Sequence, residues 1–125
     1  MANDAHGKIC YLILPAASPE DSAAFYTSVF DWTTRRHADG TLAFDDPTGG
    51  VSGMWAMGKP PAIDPGMEVH IMVRDAAAIE QAIVAAGGSI VQPADRSQPE
   101  VWGLFRDPYG NLLGYYEQPG LDGRT

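Results

Sequence analysis

The feature that most limits what this chain can fold into is an internal repeat. Asp46-Pro47-Thr48-Gly49-Gly50-Val51-Ser52-Gly53-Met54-Trp55 returns as Asp107-Pro108-Tyr109-Gly110-Asn111-Leu112-Leu113-Gly114-Tyr115-Tyr116, with Asp-Pro-x-Gly and a later glycine in register (46 to 107). Upstream, Ile9 to Pro15 leading to Ser18-Pro19-Glu20-Asp21 parallels Met67 to Val73 leading to Asp75 (18 to 75). The 125 residues therefore carry one supersecondary unit twice. Units of about 60 residues are marginal alone, so the two are expected to close one shared core.

Each unit reads as strand, helix and three further strands. Residues 8–14 are short, apolar and β-rich before Pro15, which predicts a strand. Ser18 is a good N-cap with Pro19 at the first helical position, Asp21 can complete a capping box, and Phe25, Tyr26, Val29 and Phe30 recur at helical spacing. Asp31 stands where that helix must stop, so a left-handed backbone is predicted there. Residues 32–38, 41–45 and 51–57 read as strands, giving βαβββ. The Pro- and Gly-dense segment 58–66 is the connector. A strand over 67–73, a helix capped by Asp75 and ended by Gly87-Gly88, and strands over 89–92, 101–106 and 112–117 complete the second unit. This makes one domain over residues 1–120, with module one at 8–57, module two at 67–118 and a mobile tail at 119–125.

Charge and composition narrow the partners. A formal net charge of −8 repels phosphate backbones and anionic lipid heads, so neither nucleic acid nor membrane is expected as a partner. No apolar run approaches a membrane span, and Met1-Ala2-Asn3-Asp4 lacks the layout of a signal peptide; the expected location is cytoplasmic. Cys10 is the one cysteine and has no internal disulfide partner. Strand alternation turns it towards the first helix as a small buried hydrophobe rather than a nucleophile.

Two tandem βαβββ modules, with Phe25-Tyr26 on the first helix, Val29-Phe30-Asp31-Trp32 ending it, Ala86-Gly87-Gly88 ending the second and Asp107-Pro108-Tyr109-Gly110-Asn111 before the last strand, resemble the vicinal oxygen chelate superfamily of glyoxalases, bleomycin-resistance proteins and extradiol dioxygenases. The resemblance covers about residues 8–118. It implies an α+β fold whose two modules form an open, eight-stranded, barrel-like cup, commonly completed by a homodimer. It also implies a metal held by a His on the first strand and a Glu on the last strand of each module. Counting from the caps and turns puts those four positions at Tyr11, Gly53, Glu68 and Gly114, of which only Glu68 is a usual ligand type. No cofactor is therefore expected, beyond a weak divalent metal at most.

Alternation along the strand places His70 on the same side as Glu68. The pair can act as a carboxylate orienting an imidazole for acid, base or hydrogen-bond chemistry, or His70 can be a structural or dimer-seam residue. By the same reasoning Tyr11, Trp55 and Tyr116 share the inner face with Gly53 and Gly114, and Ile13, Val51 and Leu112 supply apolar walls. Such rings either sandwich a planar or hydrophobic ligand or simply fill the barrel. Of Arg35 and Arg36, one must point inward or into a partner. Trp102 suits either the mouth or an interface.

The expected function is binding of a small organic molecule in the cup, at Tyr11, Trp55, Tyr116, Gly53 and Gly114, with His70 and Glu68 giving polar recognition. The alternative is a lyase, isomerase or dioxygenase-like enzyme that uses His70 and Glu68 with or without a divalent metal.

Overall fold

The structure, a computed structural model, describes residues 6–118. The tail at 119–125 and the first residues of the chain lie outside the described residues. Local signals set the element boundaries. Helix α1, Pro19–Phe30, starts where the Ser18 hydroxyl accepts from the Asp21 N–H at 3.2 Å and Pro19 presets the first helical φ. It stops at Asp31, whose φ of 63° is the expected left-handed cap. Helix α2, Ala76–Ala85, starts at Asp75, which accepts from the Ala78 N–H, and is followed by Gly87 at φ 101°.

The strands are β1 Tyr11–Pro15, β2 Thr33–Arg36, β3 Leu42–Asp45, β4 Ser52–Ala56, β5 His70–Val73, β6 Ser89–Gln92, β7 Trp102–Arg106 and β8 Leu112–Glu117. They form two four-stranded sheets, ordered β1-β4-β3-β2 and β5-β8-β7-β6. In each, the first strand runs parallel to the last and the other pairings are antiparallel. The fold is α+β, with two tandem βαβββ modules and sheets left open rather than closed into a barrel. Strands β1 and β5 begin later than expected, at Tyr11 and His70. Cys10 accordingly precedes the first strand and is exposed, not turned onto the helix.

The two helices lie together in one apolar layer shared by both sheets, and a single buried cluster spans the chain. Aromatic side chains of α1 join the modules. Phe25 and Phe30 meet Phe105 of β7 at centroid distances of 6.1 and 5.5 Å, and Tyr26 stacks on Trp32 at 4.6 Å. The Tyr26 hydroxyl donates to buried Asp107 at 2.9 Å, while Asn111 Nδ2 donates to the Pro15 carbonyl at 2.8 Å. The connector is pinned to the same turn, since Leu112 N–H donates to the Ala62 carbonyl and Ala62 N–H to Asn111 Oδ1, both at 2.8 Å. Each sheet thus has one face covered by helices and one outer face.

The repeat is not uniform. Asp107 N–H closes its turn on the Asn111 carbonyl, four residues on, whereas Asp46 N–H closes on Val51, five residues on. Module one has one extra turn residue, so Met54, not Gly53, occupies the place of Gly114. The sheet register agrees, because Ile13 lies opposite Met54 as His70 lies opposite Gly114. A shift of one residue exchanges the two faces of a strand.

Candidate functional site

That shift divides the seven residues singled out in the sequence. Gly53 and Trp55 turn into the helical layer, not towards the outer face. Trp55 is 2% exposed and packs 4.9 Å from Phe44 and 6.1 Å from Tyr26. A Cβ on Gly53 would overlap the Phe44 ring and the Leu12 carbonyl, so this glycine makes room for core packing and does not enlarge a cup.

The other five lie on or beside the outer faces, four of them together. Gly114 lies opposite His70 across β5 and β8, and the imidazole lies over it, where a Cβ would collide with the ring. Glu68, just before β5, has Oε1 at 3.0 Å from His70 Nε2, with the two side chains 50% and 27% exposed. A carboxylate accepts only, so the bond holds the proton on Nε2 and leaves Nδ1 of the neutral ring as an acceptor. Tyr116 pairs across the strands with Trp102 and donates its hydroxyl to Glu100. Trp102 completes the group edge-on to His70, with centroids 5.7 Å apart. The sequence left Trp102 open between the mouth and an interface. The signal that fixes it is its place directly opposite Tyr116, which only the strand pairing supplies.

Tyr11 belongs to the other sheet. It is 45% exposed on the outer face of sheet one, beside Ile13 at 52%. The same face carries Ser52, Asp45 and Arg35. Arg35 Nε donates to Asp45 at 2.8 Å and the Ser52 hydroxyl donates to it at 2.5 Å, which together hold the Asp45 carboxyl down at about 2. Arg36 points the other way and pairs with Glu20 of α1 at 3.0 Å.

As metal donors, Glu68 and His70 are two where catalytic sites use about three protein ligands, and they are already bonded to each other. Among the described residues no three His, Cys, Asp or Glu side chains gather into a metal-binding group. Within one chain this wall supplies two donors to a metal. What the wall offers is an oriented imidazole, exposed aromatic edges and apolar surface.

Two open βαβββ modules with this arrangement define a member of the vicinal oxygen chelate superfamily, which spans glyoxalases, bleomycin-resistance proteins and dioxygenases. The model of the glyoxalase-like domain family matches residues 11–114, and the chain belongs to that family. Solved structures share the fold. A glyoxalase/bleomycin resistance protein from Albidiferax ferrireducens is 16% identical at a TM-score of 0.70, covering 89% of this chain and 98% of its own. TioX from Micromonospora is 26% identical at a TM-score of 0.63, with the same coverage. A glyoxalase/bleomycin resistance protein/dioxygenase family enzyme from Burkholderia phytofirmans is 13% identical at 0.70, again covering 89% and 98%. No curated protein matches the chain by sequence. Among the described residues no helix is long and apolar enough to cross a membrane.

Proposed function

We propose that this protein binds a small, planar or hydrophobic organic molecule without a resident metal, and that it does so as a homodimer. The observation that carries the reading is the assembly of His70, Glu68, Trp102 and Tyr116 around Gly114 on an outer sheet face. The rings bury an apolar guest and the oriented imidazole gives one polar contact. Tyr11, Ile13 and Met72, the last 55% exposed, are apolar side chains left to solvent on the outer faces of a single chain. The helical layer lies between the sheets, so the Tyr11 face meets a His70 face only when a second copy supplies it. The cup is thus formed by sheet one of one protomer and sheet two of its partner.

Titration with the neutral hydrophobic dye Nile red tests the reading. Saturable binding is expected, weakened roughly tenfold by His70→Ala or Tyr116→Ala with the melting temperature held within about 2 °C, as for anchor residues lost from a surface site. Unchanged affinity in both variants would refute it. Sedimentation should give twice the chain mass; a monomer at high concentration would remove the proposed cup.

A further inference from the structure

The internal repeat produces two junctions between the modules, and they are built differently. At the first, the Asp107 turn of module two meets α1 and the end of β1. Tyr26 donates its hydroxyl to Asp107 at 2.9 Å, and Asn111 donates to Asp107 at 2.9 Å and to the Pro15 carbonyl at 2.8 Å. This junction is sealed by polar side chains and aromatic rings. At the second, the Asp46 turn of module one faces β5 and α2. Carrying the repeat across, Tyr26 corresponds to Ile83 (26 to 83), Phe25 to Ala82 (25 to 82), and Asn111 to Val51, the residues on which the two turns close.

None of these replacements can donate a side-chain hydrogen bond, and two of them are smaller. Between the Asp46 turn, α1, β5 and α2 lies a cavity of about 710 Å³, within the range of small-molecule sites, and of the three replacements Val51 lines it. Its walls include Phe30, Trp32, Phe44, Ile71 and Ile79, with Asp46 among them. It reaches the free edge of β5, so His70 and Met72 border it, but its ring-lined wall belongs to the helical layer. Asp46 Oδ1 accepts from Thr48 and Gly50, while Oδ2 has one bond, from the Val51 N–H at 3.0 Å. The matching oxygen of Asp107 takes two side-chain donors. A carboxylate oxygen has room for another donor.

We propose that this second junction is a binding site for a small phenol-like aromatic molecule, distinct from the outer wall. Its ring lies between Ile71 and Ile79, over the edges of Phe30 and Trp32, and its hydroxyl donates to Asp46 as Tyr26 donates to Asp107. The chain itself provides the precedent for the chemistry, a phenol closing an equivalent acid turn.

The test is an amide NMR titration of the whole protein with 4-methylphenol and, in parallel, with toluene, which has the ring without the donor. Saturable shifts are expected at the amides of Thr48, Val51 and Ile79 and at the Trp32 indole. Toluene should bind roughly tenfold more weakly, the loss of one hydrogen bond to a charged acceptor. Ile79→Phe fills the cavity from α2 and should abolish these shifts. Equal binding of toluene overturns the proposal, as do shifts confined to Trp102 and Tyr116, which would mean that the molecule sits on the outer wall. Both comparisons use the unaltered protein, so they decide the matter whether or not the filled variant folds.

Discussion

Removing one hydroxyl from the sealed junction, Tyr26→Phe, gives a measurable consequence that can be worked out in advance. Asp107 is 3% exposed, so water does not replace the lost donor. Its Oδ2 keeps the bond from Asn111, and its Oδ1 keeps three backbone N–H donors, from Tyr109, Gly110 and Asn111, each at 3.0 Å. A hydrogen bond to a charged group contributes about 1.5–3 kcal/mol, and the four that survive place this loss near the low end, about 1.5–2 kcal/mol. Phenylalanine keeps the stack on Trp32, 4.6 Å apart and 14° between planes, so ring packing contributes little to the difference. In a domain of this size that is roughly 5–10 °C of melting temperature. Burial and the Asp107 charge push the Tyr26 ionisation well above its ordinary 10, so the phenol stays protonated and the loss is the same at pH 6 and pH 9. Urea unfolding of Tyr26→Phe, Asp107→Asn and the double variant measures the coupling directly. A loss below about 0.5 kcal/mol with additive single variants would mean that the rings alone hold the modules together, refuting the argument.

Three further outcomes follow from named contacts. Gly114→Ala drives a Cβ into the imidazole, so His70 must leave Glu68; Nile red affinity should fall about as far as in His70→Ala while the fold survives, and full affinity would contradict the placement. Gly53→Ala meets a backbone carbonyl and a packed ring, neither of which yields cheaply; unfolding free energy should drop by about 1–3 kcal/mol, whereas a neutral effect would return this glycine to an open surface. Asp45 is depressed from 3.8 to about 2, so its charged form stabilises the fold above its ordinary range and that contribution disappears as pH falls through 2. The melting-temperature gap between the protein and Asp45→Asn should be present at pH 6 and closed near pH 2; a constant gap would show that the charge is not responsible.

Much of the architecture is legible in local chemistry. Ser18-Pro19, Asp31 and Asp75 announce helix ends because capping depends on a few adjacent residues, and the two Asp-Pro-x-Gly turns announce the repeat. The faces of β4 are not legible from the same count. One additional residue in the Asp46 turn leaves no mark on the Asp-Pro-x-Gly pattern, yet it moves Gly53 and Trp55 to the opposite side of the strand. Glu68 and His70 stay on one side because no turn intervenes between them. Trp102 depends on pairing with Tyr116, fourteen residues on, and the unequal junctions depend on which helix faces which turn, information that exists only in the tertiary arrangement.

The most direct test of the shared cup is complementation between two damaged chains. Tyr11→Ala spoils sheet one and Trp102→Ala spoils sheet two, and each variant alone should bind Nile red weakly. Mixed and allowed to exchange in equal amounts, random pairing makes half the dimers mixed, each with one intact cup, so about a quarter of all cups should recover the affinity of the unaltered protein. A mixture that binds no better than the average of its two components would contradict a site built from two protomers.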